Sequence, residues 1–276
     1  MTLARLLAIV PPPKRPTAAE GDFGPIEADL GTPLPADYKE LVAKYGYGSF
    51  VDFLHLWSPF FAPCPMVSQA RGALDADRTL ARAAKNAVPF TQFPDPDGAL
   101  PFANTDNGDV LYWLTIGAPD VWPVVAWNPR GGDDFELVEG GVVAFLAGWL
   151  GGEFACQVFP DDLDFANGGG NPRPCFDPWR ERAHATLTIT GTTKARYAKR
   201  LDALTKALAP VEMRGCFGDE GEEKRQVHWV ANDGAWRLTY DTVYGHNVRL
   251  AAPKEEMDRA RAAIAEALAP FGLATK

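Results

Sequence analysis

Cysteine and histidine are scarce in this 276-residue chain, at four each. Cys64, Cys156, Cys175 and Cys216 lie far apart without a C-x-x-C spacing, which argues against a zinc ribbon and a dense disulfide framework. The expectation is therefore reduced thiols, no bound metal and no cofactor. No run of about 18 apolar residues is present, so no membrane span is expected. Residues 1–10 are apolar like a secretion signal, yet Arg5 interrupts them and Pro11-Pro12-Pro13 replaces a small-residue cleavage site. A cytoplasmic location follows as the expectation. There is no G-x-S-x-G elbow, and no cysteine shares a local signature with a histidine. Gly168-Gly169-Gly170 lacks the lysine and following helix of a phosphate loop. The loops at Asp95–Gly98 and Asp106–Asp109 lack the spacing and closing glutamate of a calcium loop, and their residues are those of ordinary turns.

What is abundant is apolar side chain and negative charge. Apolar residues make up 46%, enough for packed cores, and the length suggests two domains. The net charge is −9, unevenly spread: residues 1–180 carry 12 Lys+Arg against 23 Asp+Glu, and residues 181–276 carry 15 against 13. An acidic first half repels phosphates, so nucleic acid is not the expected partner. It is suited to steering a basic protein.

Tyr38, Leu41, Val42 and Tyr45 stand at i, i+3, i+4 and i+7, one apolar stripe of a helix that Pro35 starts and Gly46 closes. Leu54–Phe60 reads as a strand running into a proline-marked loop, and Thr79–Ala87 as a short helix. The Asp106-Asn107-Gly108-Asp109 turn joins the apolar runs Leu100–Thr105 and Val110–Leu114 as a hairpin. Pro123–Trp127 is a further strand, and Val142–Leu150 a closing helix. In this order the segments resemble the SUKH superfamily, which includes the Smi–Knr type of cell-wall assembly regulators, over roughly residues 22–155. The family places a tryptophan in a first helix before the Leu34-Pro35 motif, whereas Ile26–Gly31 has none.

The composition shifts most sharply at Asp164–Pro174, rich in glycine, asparagine and proline. The predicted layout is a SUKH-like domain over 1–165, a linker over 166–180 and an accessory α+β domain over 181–276. In the last, Ala185–Thr190 alternates as a strand, a helix capped near Thr192 or Thr193 ends at Pro210, four strands follow, and Pro253 begins a last helix. The fold class is α+β, with a mostly antiparallel sheet and flanking helices in the first domain and a smaller sandwich in the second.

The resemblance implies a protein-binding domain without catalysis, and many bacterial SUKH-like proteins are immunity proteins that occlude a cognate toxin, often a nuclease. The candidate partner-binding residues are Trp57, Phe60 and Phe61 as aromatic anchors, with Asp106, Asp109, Asp133 and Asp134 as an acidic surround. One alternative is a cytosolic scaffold regulating cell-wall assembly or signalling. Another is an enzyme using His228 or His246 of the second domain.

Overall fold

The structure, a computed structural model, describes residues 2–84, 87–131, 134–167, 173–218, 223–232 and 234–276. The chain forms two units, Met1–Gly170 with Pro174–Trp179, and Asn171–Arg173 with Arg180–Lys276. In the first, α1 (Leu3–Ile9), α2 (Gly24–Leu30) and α3 (Ala36–Tyr45) precede β1 (Gly48–Phe50) and β2 (Leu54–Leu56). Helix α4 (Met66–Ala83) leads to β3 (Ala99–Thr105), β4 (Val110–Leu114), β5 (Val124–Trp127) and β6 (Phe135–Val138). Helix α5 (Gly141–Leu150) and β7 (Phe176–Pro178) complete the unit. The strands form one antiparallel sheet in the order β6-β5-β4-β3-β2-β1-β7.

The Leu34–Leu41 motif is structural. Tyr38, Leu41, Val42 and Tyr45 are all buried in the main core. The Tyr38 hydroxyl donates to the Trp57 carbonyl at 2.7 Å, and its ring meets Trp113 edge-on at 4.9 Å. Asp37 Oδ2 accepts the Val143 amide at 3.0 Å and so caps α5, while burial raises its carboxyl above the usual range. Gly46 takes φ 68°, and a Cβ there would stand 2.1 Å from the Thr17 carbonyl oxygen. Each large side chain buried in this way contributes roughly 2–3 kcal/mol.

Side chains alternate across the sheet. Leu111, Trp113, Val124 and Ala126 join the main core with α1, α3 and α5, whereas Tyr112, Val125 and Trp127 form a second cluster with Leu80, Val88 and Phe90.

Two local expectations change, and a helix does precede the Leu34-Pro35 motif. Helix α2 forms without a tryptophan: Gly31 at φ 75° stops it, and Glu27 ties it to α3 through Lys39 and the Leu34 amide. The helix read as Thr79–Ala87 is the tail of the 18-residue α4, whose buried Met66, Val67, Ala70, Leu74 and Asp77 recur at helical spacing. Within the segment read as a linker, residues 168–172 lie outside the described residues, but Phe176–Pro178 is a buried strand paired with β1. Phe176 fills the core beside Tyr45 and Phe50, with ring centroids 5.0 and 4.8 Å apart.

The second unit runs β8 (Ala183–Thr190), α6 (Tyr197–Ala207), β9 (Val211–Phe217), β10 (Gln226–Ala231), β11 (Trp236–Asp241), β12 (Asn247–Ala252), α7 (Met257–Leu268) and β13 (Ala274–Thr275). Its antiparallel sheet has the order β13-β8-β12-β11-β10-β9, and its core joins one sheet face to both helices. Tyr197 stacks on Tyr240 at 4.8 Å. The start of α6 is held not by Thr192 or Thr193 but by Glu223, whose Oε1 accepts the Tyr197 amide at 2.9 Å. The fold is α+β, as the sequence predicts.

Two outcomes are expected. Residues 1–179 alone should melt cooperatively with native near-ultraviolet circular dichroism, whereas residues 1–165, lacking Phe176, should be less stable by about 3–5 kcal/mol in urea. The second concerns Asp77, whose Oδ2 accepts the Tyr112 hydroxyl at 3.0 Å and whose pKa burial pushes up to about 6. The folded protein holds this proton more tightly than the unfolded chain, where aspartate titrates near ~3.9. Its stabilisation is full below about pH 4 and is lost as pH rises to about 6, a change on the order of 2–3 kcal/mol. Asp77→Asn should flatten that decline in urea melts between these pH values.

Candidate functional site

Strands β1 to β6 are joined so that three hairpin connections, at residues 51–53, at 106–109 and between β5 and β6, fall at the same end of the sheet. Each carries aspartate. In the first, Val51 and Asp52 both lie in the left-handed region at φ 49° and 55°, and the Phe53 amide donates to the Phe50 carbonyl at 3.0 Å. A β-branched valine in this region is strained, so the turn is held by its surroundings. Val51 is buried and donates its amide to the Cys175 carbonyl at 2.9 Å.

Hydrogen bonds cross-link the turns. The Asp106 amide donates to the Phe53 carbonyl at 3.0 Å, and Asp106 Oδ1 lies 2.6 Å from His55 Nε2. Asp109 is buried: Oδ2 accepts the Thr105 hydroxyl at 2.7 Å and Oδ1 accepts Arg130 Nη2 at 3.0 Å. Burial raises the Asp109 carboxyl pKa, and the Thr105 and Arg130 bonds oppose that rise. Arg130 Nε in turn donates to Asn128 Oδ1 at 3.2 Å, and Asn128 Nδ2 to Asp134 Oδ2 at 3.1 Å. Glu136 Oε2 accepts the Gln157 amide at 3.4 Å. Asp52 and Asp106 are exposed and Asp134 and Glu136 half-buried, while Arg130 is already engaged with Asp109. The rim is therefore rigid and negative.

The structure redistributes the residues proposed from sequence. Asp106, Asp109 and Asp134 do converge, but Asp109 serves the turn and not the surface. Asp133 lies outside the described residues. The aromatic anchors are corrected. Trp57 is 4% exposed and donates through Nε1 to Asn104 Oδ1 at 2.6 Å. Phe61 is 6% exposed and stacks on Tyr47 at 3.9 Å, and half-buried Phe60 meets Phe23 edge-on at 4.8 Å. The Ser58 carbonyl accepts the amides of both Phe61 and Met66, so the loop folds back and carries these rings inward.

The apolar side chains that do reach solvent beside the acidic rim are Phe135, 44% exposed, and Leu137, 46% exposed, on β6. They pair with Trp127 and Val125 and extend that row to the sheet edge. Alternation in Phe135-Glu136-Leu137-Val138 marks them as sharing one face, but nothing local shows that the face is uncovered.

A cleft of about 370 Å³ lies elsewhere, between α2 and α4, with a floor of Leu30, Ala70, Leu74 and Leu100. Its rim arginines are taken up in ion pairs, Arg71 with Asp29 and Arg78 with Asp75. Among the described residues no three His, Cys, Asp or Glu side chains converge as metal ligands would. In the second unit, Thr239 Oγ1 lies 2.9 Å from His228 Nδ1, and Gln226 Oε1 lies 3.0 Å from Nε2. His246 Nε2 is 3.1 Å from the Tyr240 hydroxyl, and burial, followed by Arg200, lowers its pKa. Burial pushes the Tyr240 hydroxyl up to about 12, so it is not an activated nucleophile.

Urea melts should separate core from surface. Trp57→Ala is expected to cost roughly 3–5 kcal/mol, whereas Phe135→Ser should stay within about 0.5 kcal/mol of the parent.

Compared with known proteins, residues 20–146 match the SUKH_6 family, described as SMI1-KNR4 cell-wall. The matched segment includes α2 through β6 and all three acidic turns, and stops before β7 and the second unit. No curated protein matches the chain. No helix among the described residues is long and apolar enough to cross a membrane.

Proposed function

We propose, from the SUKH domain in residues 20–146, that this chain is a non-catalytic binding protein whose acidic hairpin end receives a basic protein partner. The observation that carries this reading is the convergence of Asp52, Asp106 and Asp134 on three cross-linked turns inside the matched segment. A rigid negative rim attracts a basic surface at long range and loses little entropy on contact.

The finer reading is an immunity protein acting in the cytoplasm. A toxin that cleaves nucleic acid needs a basic cleft for phosphates, and carboxylates presented on a fixed rim would occupy it in their place. Inhibition would then be steric and electrostatic, with no bond made or broken. A regulatory scaffold, which the cell-wall description of the matched family favours, would present the same rim to a different partner. The second unit would serve as an accessory module.

Association with the protein encoded beside this chain tests the reading. Its rate constant should fall about tenfold or more between low and physiological salt. The double variant Asp106→Lys with Asp134→Lys should slow association more than it speeds release, by stopped-flow fluorescence. Reversal at Asp109 is unsuitable, because it would leave Arg130 facing a buried cation and unfold the turn. Salt-independent association, unchanged in the double variant, would remove the electrostatic account.

A further inference from the structure

The sheet of the first unit has two outer strands, and they differ in kind. Strand β7 has three residues, all buried, and its last is Pro178, which has no N–H to offer. Strand β6 is exposed at every second residue. The Asn128 amide donates to the Asp134 carbonyl at 3.0 Å, which makes 128 and 134 a hydrogen-bonded pair. Moving along the ladder, pairs alternate, so Phe135 with Trp127 and Leu137 with Val125 are the non-hydrogen-bonded ones. The backbone N–H and C=O of Phe135 and Leu137 therefore point away from β5, toward the open edge. Their side chains, on one face, are the exposed pair beside Trp127 and Val125.

Natural sheets guard such an edge with lysine, proline, bulges or very short strands. The outer strand of the second sheet, β9, is broken by a register shift opposite His228 and Trp229. Strand β6 carries no lysine, proline or bulge, and the charges on and beside it are all acidic, Asp134, Glu136 and Glu139.

We propose that β6 is a strand-addition site for an extended segment of the protein partner, with apolar side chains at alternate positions and basic ones between. The inference rests on the protein-binding reading and specifies how the partner is held. Two outward amides and two carbonyls supply the main-chain ladder, and the alternating apolar side chains continue the row from Trp127 and Val125. Basic residues meet Glu136 and the acids at either end. A second copy of this chain is the wrong occupant. Antiparallel self-pairing through the outward groups sets Phe135 opposite Leu137 of the other copy and Glu136 opposite its own equivalent, like charges face to face.

The probe is a short capped peptide of alternating lysine and valine, labelled for fluorescence anisotropy, with the full chain as receptor. Bound peptide is expected to slow hydrogen exchange at the Phe135 and Leu137 amides about tenfold or more, read by NMR. Leu137→Pro removes an N–H that β5 does not use, a replacement that edge strands tolerate, and should weaken binding about tenfold. Should that variant misfold, N-methylation of the peptide at alternate residues on the side facing β6 should produce the same loss with the unaltered protein. Glutamate in place of lysine should abolish binding, and equal affinity for that peptide would overturn the basic assignment. Failure of the lysine peptide to bind, or binding untouched by both Leu137→Pro and N-methylation, would overturn strand addition. In the second case, affinity that still falls with salt and with reversal of Asp106 and Asp134 would leave the acidic-rim reading standing. Protection at β6 with partner association indifferent to salt would instead fault the rim.

Discussion

An antiparallel meander must turn at alternate ends, and this constraint organises the first unit. With β1 to β6 joined in sequence order, every second connection lands at one end of the sheet. Charges more than eighty residues apart in sequence, at Asp52 and Asp134, are thereby brought to one rim. The long connections, including α4, are left to the opposite end, where they can lengthen without disturbing the hairpin side. The Thr105–Asp109–Arg130–Asn128–Asp134 chain of hydrogen bonds then fixes two neighbouring turns to one another. Rigidity at the rim follows from sheet order first and side-chain bonding second.

Helix α3 is the second support. Asp37 and Tyr38 lie side by side in sequence, but one caps α5 and the other reaches the Trp57 carbonyl. A short motif thus ties together the end of β2, the centre of the sheet through Trp113, and the last helix of the matched segment. The residues that make the family recognisable hold the fold together, and those that present charge to solvent lie elsewhere, on turns. Recognition of the family and location of the site are for this reason separate problems.

Their legibility differs accordingly. The α3 stripe, the Asn107-Gly108 turn and the alternating strands of the second unit are written in local spacing, and the structure contains all of them. Helix α4 was visible only in its charged tail, because its first turns follow Pro63 and Pro65 and carry a polar Ser68-Gln69. Strand β7 has a single large apolar residue, Phe176, and its place depends on a vacancy between Tyr45 and Phe50 that no window of sequence reveals. The acidic turns were legible as turns. That Asp109 points inward depends on Arg130, twenty-one residues away, which local patterning cannot supply. Trp57 and Phe61 read as surface anchors because prolines flank them. Their burial is set by the Ser58 carbonyl folding the loop back, a tertiary effect. Phe135 and Leu137 have the converse history: ordinary strand residues by pattern, left half exposed on the outer strand β6.

The position of β7 has a consequence for stoichiometry. This strand lies outside the segment that matches the SUKH family, yet it occupies the flank of β1 and ends that side of the sheet in a buried, proline-terminated strand. A chain whose sheet is open at both margins can pair with a neighbour on either side and so string into a fibre. With β7 closing one margin, each chain has one edge left to offer, and edge-to-edge pairing of whole chains stops at two.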